Sequence, residues 1–259
     1  MNTRRQILLT FDLEEFDLPL EFGCPISAGD QIAITNNGLH RLLSILTRHN
    51  ITATFFTTIT YADRNNDVVK LISGNHEIAS HSNCHTGFKD TDLHLSKLTL
   101  ERITGKEVIG FRMPRFSKVD MMKIKAAGYR YDSSINPTCI PGRYNNLRSC
   151  RRIYTDIRSN LTEVPVSVSP VIRFPLFWIS FKNIPFPVYL GMCKLALKKD
   201  SYLHLYFHPW EFADIGSFRI PWYIKRISGE QLSERFEVLI KELKKAADFT
   251  TISGFLDSL

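Results

Sequence analysis

The chain has 259 residues, of which 44% are hydrophobic and 23% are charged. This composition excludes a disordered or fibrous protein and can fill one large core, so we treat residues 1–259 as a single domain. The net charge is +7, but Lys and Arg are spread along the chain, and we expect no nucleic-acid partner. A basic surface suits a phosphate-bearing ligand or peripheral contact with an anionic membrane face. The composition does not predict an oligomeric state.

The N-terminus and the cysteines indicate the cellular compartment in which the protein acts. Two arginines and a brief apolar run precede several carboxylates, so the long apolar stretch and cleavage site of a secretory signal are missing. No stretch approaches the roughly 18 apolar residues that a spanning helix needs. The five cysteines are odd in number, scattered and without a CxxC pair, which is typical of reduced thiols. We therefore expect a cytoplasmic protein.

Hydrophobic periodicity predicts strands and helices in alternation along the chain. The predicted strands are residues 7–11, 52–59, 76–79, 108–111, 161–168, 202–207 and 249–252. The predicted helices are residues 38–49, 68–73, 93–103, 119–127, 188–199 and 232–247, with Asn36 and Asn37 as candidate caps of the first. Such alternation indicates an α/β fold with a parallel sheet, whose functional side chains lie beyond the carboxyl ends of the strands.

Carboxylates and histidines follow two of the predicted strands. Asp12 and Glu14 come at the end of the first strand, and because residues i and i+2 share a face, both carboxylates could enter one pocket. A solvated acidic turn is an equally good interpretation of this stretch by itself. His81 and His85 follow the third strand, and two imidazoles at this spacing can reach one cation if the backbone turns. Such pairs also occur by chance on surfaces.

Three further motifs lie near predicted strand ends. Gly-Phe-Arg-Met-Pro-Arg-Phe at 110–116 places Arg112 just past the fourth strand, and Tyr-Arg-Tyr-Asp-Ser-Ser at 129–134 contains Asp132. Tyr-Phe-His-Pro-Trp-Glu-Phe at 206–212 contains His208. Because a proline follows it, His208 is expected to be extended and to point outward. Each motif alone also suits a packed or capped residue.

Together and in this order, the motifs resemble the NodB homology domain of the polysaccharide deacetylase family, which is carbohydrate esterase 4-like. The matching residues are Thr10-Phe11-Asp12 with Glu14, His81 to His85, Arg112 to Phe116, Asp132 and His208. The resemblance covers residues 7–212. The phrases Tyr-Asp-Ser-Ser-Ile and Phe-His-Pro-Trp-Glu most resemble a bacterial subgroup associated with surface-polysaccharide synthesis.

The resemblance implies a distorted (β/α)7 barrel that hydrolyses the N-acetyl group of a sugar. The expected substrate is an N-acetylated saccharide, with nucleotide- and lipid-linked forms both considered. The resemblance also implies that Glu14, His81 and His85 hold one divalent metal ion. Zn²⁺ suits this ligand set best, and Co²⁺, Ni²⁺ or Fe²⁺ are acceptable.

The catalytic roles follow from the same resemblance. Asp12 is the expected general base, Arg112 keeps it ionised and aimed, and His208 is the expected acid. Asp132 is expected to raise the pKa of His208. Many family members have two adjacent aspartates, whereas here the second is Leu13. We move its metal role to Glu14, and the alternative is a two-histidine site with weak metal affinity or none.

The sequence leaves two alternative functions and the role of one further segment undecided. The missing second aspartate favours a metal-independent amidohydrolase resembling allantoinase. An inert NodB-like carbohydrate-binding module is the other alternative, with aromatics between residues 174 and 189 as sugar-stacking surfaces. Residues 171–197 either cap the cleft or fill the barrel. If they form a cap, Lys182, Lys194 and Lys198 could hold phosphates beside its apolar wall.

Overall fold

The structure is a computed structural model that describes residues 4–259, so Met1 to Thr3 of the N-terminal segment lie outside it. The strands of the described chain are β1 (Gln6–Leu13), β2 (Thr54–Thr57), β3 (Glu77–Ser80), β4 (Gly110–Phe111), β5 (Tyr131–Asp132), β6 (Cys139–Ile140), β7 (Tyr144–Asn145), β8 (Tyr154–Thr155), β9 (Thr162–Glu163), β10 (Tyr202–Phe207) and β11 (Asp248–Thr250). The α-helices are α1 (Ala28–Arg48), α2 (Ile59–Arg64), α3 (Asn66–Ile72), α4 (Thr91–Thr104), α5 (Met121–Ala126), α6 (Trp178–Asn183), α7 (Phe186–Asp200), α8 (Trp222–Lys225), α9 (Gly229–Lys244) and α10 (Ile252–Leu256).

Parallel strands form the main sheet, in the order β10, β1, β2, β3, β4, β5, β9. β8 lies antiparallel beside β9, and β11 pairs with the first half of β1. The two ends of the curved sheet meet where the Ser167 N–H donates to the His204 carbonyl at 2.9 Å. This incomplete barrel of parallel strands with crossover helices confirms the expected α/β fold.

The strand predicted at residues 161–168 forms regular ladder pairs only at Thr162–Glu163. Beyond it, Pro165 has no N–H to donate. Three neighbouring N–H groups each donate to a carbonyl in a different segment. Val164 donates to Asp132, Val166 to Ile135 and Ser167 to His204. The segment is therefore extended and buried without continuing a regular ladder.

Helix α1 begins ten residues before its predicted start, at Ala28. The Ser27 side chain caps it by accepting from the Asp30 N–H at 3.1 Å. Asn36 and Asn37 lie inside the helix, so the prediction that they cap it is wrong. Gly38, which follows them, packs against the backbone of Pro209.

Aromatic side chains pack between β1 and the surrounding helices. The ring centroid of Phe11 lies 5.1 Å from that of Phe55, 6.4 Å from Phe207 and 6.2 Å from Phe236. All four side chains are completely buried. Since β1 pairs with β2 on one side and β10 on the other, it is the centre of the core, and its carboxyl end is held rigidly.

Most aromatics of residues 171–197 belong to the core. Phe181 and Tyr189 are fully buried, and Phe177 and Trp178 are 8% and 9% exposed. An open cap would leave several such rings exposed, so the structure favours their role in closing the barrel. Phe177 and Trp178 nevertheless reach the cleft described below, together with Ile179.

Within residues 4–259, no helix combines the length and the apolar character that crossing a bilayer requires.

Candidate active site

A cleft of about 260 Å³ lies beyond the carboxyl ends of β1, β3 and β10. It is lined by five of the seven residues singled out in the sequence, which are Asp12, Glu14, His81, His85 and His208. A wider groove of about 830 Å³ lies between α1 and residues 213–218, but it contains none of these groups. Because the smaller cleft contains the ionisable side chains, we consider it the candidate site.

Asp12 is buried and held by Arg112. Arg112 Nη1 donates to Asp12 Oδ1 at 2.6 Å. The fully buried guanidinium also donates to Thr10 Oγ1 at 3.1 Å, to Ser133 Oγ at 3.0 Å and to the Ser133 carbonyl at 3.2 Å. His204 Nε2 lies 3.0 Å from Nη2 and accepts from it. Arg112 therefore lies behind the cleft and holds Asp12 in place.

The second oxygen of Asp12 faces the histidines. Asp12 Oδ2 lies 3.9 Å from Nε2 of His81 and 3.9 Å from Nε2 of His208. One oxygen is therefore taken by the guanidinium, and the other is directed toward the cleft.

Glu14 lies between the two histidines that follow β3. Its Oε2 atom is 3.2 Å from His81 Nε2 and 3.5 Å from His85 Nε2. The chain turns at Ser82, whose φ of 66° lies in the left-handed region that non-glycine residues seldom adopt. This turn supplies the change of direction that the spacing of the two histidines required. The structure thus brings Glu14, His81 and His85 together.

The Nδ1 atoms of both histidines have hydrogen-bond partners. His81 Nδ1 lies 2.9 Å from the Arg112 carbonyl, and His85 Nδ1 lies 2.9 Å from Asp17 Oδ1. Because a carbonyl only accepts, His81 donates through Nδ1 and presents Nε2 to the cleft. Burial opposes protonation of His85, but the charges of Glu14 and Asp17 outweigh it and raise its pKa to about 9. Burial likewise opposes ionisation of Glu14, yet the surrounding histidines lower its pKa.

The donor set fits a divalent metal ion. One carboxylate and two imidazoles whose Nδ1 atoms are hydrogen-bonded are typical ligands of zinc-like ions. Glu14 Oε2 is buried without a hydrogen-bond partner among the described residues. In residues 4–259, however, no group of three or more His, Cys, Asp or Glu side chains could hold a metal ion as it stands. Metal binding would therefore require these side chains to adjust.

His208 directly follows β10 and has the extended conformation expected before a proline, with φ −121° and ψ 139°. Its Nδ1 lies 3.1 Å from Glu211 Oε1, and its Nε2 lies 3.8 Å from Glu14 Oε1. Trp210 stacks on the imidazole with 4.8 Å between ring centroids. Burial alone would lower the pKa of His208, but the bond to Glu211 and the charges of Glu14 and Asp12 raise it.

Sequence reasoning missed Glu211 and misjudged Lys182. Glu211 is fully buried and accepts from the His208 N–H at 2.8 Å. Lys182 Nζ lies 2.9 Å from Glu211 Oε2 and donates to the Ile224 carbonyl at 3.0 Å. Because Lys182 is almost completely buried in this ion pair, it cannot hold a substrate phosphate. Lys194 is also paired, with Glu242 at 3.2 Å.

Asp132 is not the acidic residue that raises the pKa of His208, so this expectation is wrong. The pairing of β5 with β9 sets Asp132 opposite Glu163, and both carboxyls are buried. Burial raises the pKa of Asp132. Burial and the neighbouring charge of Asp132 raise the pKa of Glu163 well above its ordinary value. The acidic partner of His208 is Glu211, three residues further along the chain.

Comparison with known proteins agrees with this arrangement. The family model for Polysaccharide deacetylase matches residues 2–131, half of the chain. The chain belongs to the polysaccharide deacetylase family. This family comprises hydrolases that act on amide bonds, with an N-acetylated carbohydrate as the substrate class, although it also includes pseudoenzymes. No curated protein matches the chain.

Solved structures share the fold at low sequence identity. A protein from Mycobacterium smegmatis described as a polysaccharide deacetylase is 18% identical, with a TM-score of 0.70 over 100% of this chain and 91% of that chain. The Puue allantoinase is 13% identical, with a TM-score of 0.67 over 98% of this chain and 89% of that chain. A pseudoenzyme of the CE4 family from Bacillus anthracis is 14% identical, with a TM-score of 0.54 over 98% and 66%.

The departure from the family pattern at Leu13 has a structural reason. Successive residues of β1 point to opposite faces, so Asp12 and Glu14 line the cleft while Leu13 is buried in the core. A carboxylate two residues after Asp12 therefore lies on the cleft side of β1 and reaches the two histidines.

Proposed function

We propose that the chain is a metal-dependent deacetylase that hydrolyses the N-acetyl group of a sugar in a surface-polysaccharide precursor. The observation that carries this proposal is the convergence of Asp12, Glu14, His81, His85 and His208 on one cleft. Family membership supports an N-acetylated carbohydrate as substrate. The resemblance of the Tyr-Asp-Ser-Ser-Ile and Phe-His-Pro-Trp-Glu phrases to a subgroup supports the surface-polysaccharide precursor.

Two side chains of the cleft suit the proton transfers of amide hydrolysis, which needs a base for the attacking water and an acid for the departing nitrogen. Asp12 suits the base, because Arg112 occupies Oδ1 and leaves Oδ2 for the cleft. His208 suits the acid, because its raised pKa favours the protonated form and Glu211 binds Nδ1. Nε2 of His208 lies 3.9 Å from Asp12 Oδ2, so both groups can act on one acetamide.

Glu14, His81 and His85 would hold the divalent ion, with Zn²⁺ preferred for this ligand set. When bound, such an ion lowers the pKa of a water molecule and polarises the acetyl carbonyl. The bonds of His81 to the Arg112 carbonyl and of His85 to Asp17 would keep both Nε2 atoms aimed at the ion.

We further propose that the protein acts in the cytoplasm, before the saccharide is exported. The five cysteines carry free thiols in the structure, and unpaired thiols suit a reducing compartment. Fractionation of the native host tests this. Recovery of the protein from a periplasmic or culture fraction would contradict it.

Acetate release from N-acetylated nucleotide sugars and lipid-linked saccharides tests the activity. Asp12→Asn is expected to lose roughly 10²-fold or more, because the base is removed while the metal ligands remain. Asp63→Asn, at an exposed position of α2, is the matched control and should retain activity. Near wild-type activity of the Asp12 variant would mean that another group is the base. A wild-type protein that binds saccharides but releases no acetate would favour the inert binding module.

Elemental analysis of the purified protein tests the metal proposal. We expect about one divalent ion per chain in the wild type and loss of metal and activity in His81→Ala, because one imidazole ligand is removed. His94→Ala, at an exposed position of α4, should keep both. Activity without bound metal would favour the metal-independent, allantoinase-like amidohydrolase. This is the second candidate, because residues 4–259 contain no group of side chains arranged to hold a metal ion as it stands.

A further inference from the structure

Large apolar side chains are exposed around the mouth of the cleft. Trp222 and Tyr223 are 65% and 39% exposed, and Phe22 is 40% exposed. Tyr223 and Phe22 both line the cleft. Their two segments are held together, since Cys24 Sγ lies 3.2 Å from the Arg219 carbonyl. These aromatic rings therefore form one side of the mouth.

A second exposed apolar group belongs to the turn between Val168 and Pro175, which form an antiparallel bridge. Val171 and Ile172 near its tip are 86% and 74% exposed. The adjoining Arg173 donates to the Ser149 carbonyl at 2.8 Å and to the Pro137 carbonyl at 3.3 Å. These bonds fix the turn beside the hairpin of β6 and β7, part of which lines the cleft. The turn also continues directly into the cleft wall at residues 177–179.

The segments that carry Val171, Ile172, Trp222 and Tyr223 have no negative charge, whereas Phe22 follows Glu21, whose carboxylate is paired with Arg115 and Arg143. Residues 133–155, 164–199 and 215–229 contain neither Asp nor Glu. Three exposed arginines in them, Arg148, Arg219 and Arg226, form no ion pair within residues 4–259. Arg226 lies over the ring of Trp222, with its guanidinium carbon 5.9 Å from the ring centroid. The mouth of the cleft therefore combines exposed apolar groups with free positive charge.

We propose that this face of the barrel docks on an anionic lipid surface. Tryptophan and tyrosine side chains favour the boundary between headgroups and acyl chains, and nearby arginines attract anionic headgroups. Val171 and Ile172 decide against a polysaccharide surface, because aliphatic side chains offer no ring to stack on a sugar. The cleft then opens toward the membrane. Presentation of a lipid-linked saccharide to Asp12 and His208 rests on the proposed function, whereas the docking itself does not.

Vesicle sedimentation without any saccharide tests the docking. Full-length protein is mixed with vesicles of phosphatidylcholine alone or of phosphatidylcholine with phosphatidylglycerol. We expect binding only to the anionic vesicles, with weakening at high salt. The double variant Val171→Asp with Ile172→Asp should lower the vesicle affinity at least tenfold, and Arg219→Ala should lower it about fivefold.

The matched controls lie at the opposite end of the barrel. Ile157 is 98% exposed, and with the exposed Arg158 it belongs to the turn between β8 and the amino end of β9. Ile157→Asp and Arg158→Ala should therefore leave vesicle binding unchanged.

Other results would overturn the docking proposal. One is the failure of the wild-type protein to bind anionic vesicles, and another is that the control variants lose as much vesicle affinity as the double variant. The third such result is a double variant that keeps its vesicle affinity and loses only self-association or only polysaccharide binding. Acetate release from a soluble N-acetylated saccharide is measured in parallel, and the double variant should retain it. Activity without vesicle binding rejects the docking alone, whereas vesicle binding without activity on any saccharide rejects the proposed function alone.

Discussion

His208 is oriented by a residue only three positions further along the chain. Pro209 starts a single 3-10 turn, and this turn brings Glu211 back so that its carboxylate meets both the His208 N–H and Nδ1. Lys182 balances the charge of Glu211 from a different helix. A buried carboxylate with a buried cation beside it is costly to disturb, because removal of either partner leaves an unpaired charge.

Glu211→Gln tests this orientation. Glu211 raises the pKa of His208, and an acid catalyst works only while it is protonated. Without the carboxylate charge, the pKa of His208 falls, and the high-pH limb of the kcat profile should move to lower pH. We expect a loss of roughly 10-fold to 100-fold in kcat near neutral pH.

Glu234→Gln, at an exposed position of α9, is the control for the Glu211 variant and should leave the profile unchanged. An unshifted high-pH limb in Glu211→Gln would show that His208 is not the titrating acid.

Residues of the site differed in how far the sequence could predict them. Strand alternation and the spacing of two histidines made Asp12, Glu14, His81 and His85 candidates, but only the order of all the motifs, which resembles the family pattern, grouped them into one site. Glu211 had a local signal as well, since it lies one 3-10 turn after His208. The sequence contains no local signal for Lys182, because its partner Glu211 is 29 residues away and on another element. Only the tertiary structure shows that Lys182 is buried.

Helix α1 and the turn after β10 approach each other closely at Gly38. A Cβ atom at this position would lie 2.0 Å from the Pro209 carbonyl oxygen. The backbone of Pro209 belongs to the 3-10 turn that positions Glu211 under His208. The absence of a side chain at Gly38 thus helps to position the acid of the candidate site.

Gly38→Ala is expected to destabilise the fold by about 1–3 kcal/mol, because the added methyl group overpacks against backbone that cannot move freely. Gly191→Ala is the matched control in helix α7, where an added Cβ would meet nothing within 4 Å. The control should be stabilising by about 0.5–1 kcal/mol, since alanine favours a helix interior. Urea unfolding measures both values. Equal effects of the two substitutions would contradict the close contact at Gly38.

Elements were predicted best where a continuous apolar pattern marks them. The strands at residues 7–11 and 202–207 are buried on both faces, and their sequences are apolar enough to show it. The start of α1 was missed because half of residues 28–37 are polar and the buried Gln31 and Thr35 interrupt the apolar stripe. Its real cap, Ser27, lies outside the periodic segment from which the helix was predicted.

The buried pair of Asp132 and Glu163 makes the stability of the whole barrel depend on pH. Both pKa values are raised in the folded chain, Asp132 by burial and Glu163 by burial and by Asp132. In the unfolded chain, both carboxyls would titrate near pH 4. Between about pH 4 and the raised pKa values, the folded state therefore binds more protons than the unfolded state. The free energy of unfolding should fall as pH rises through this window.

Glu163→Gln should flatten this fall, because the amide stays neutral and its oxygen can still accept from the Ile135 N–H. Each unit by which the pKa of Glu163 is raised corresponds to about 1.4 kcal/mol. Urea unfolding at a series of pH values measures the slope. Glu107→Gln, at an exposed position, is the control and should keep the wild-type slope. The same slope in Glu163→Gln as in the wild type would contradict a raised pKa of Glu163 in the folded chain.

The position of β1 has a consequence for how the chain acquires its structure during synthesis. Gln6 pairs with Tyr202 and Asp248, so β1 finds two of its neighbours only after β10 and β11 have also left the ribosome. Such distant pairings are slow to form. Until then β1, although apolar, has an open edge on one side and is a target for aggregation. A nascent chain of this protein should therefore depend on chaperones up to its last strand.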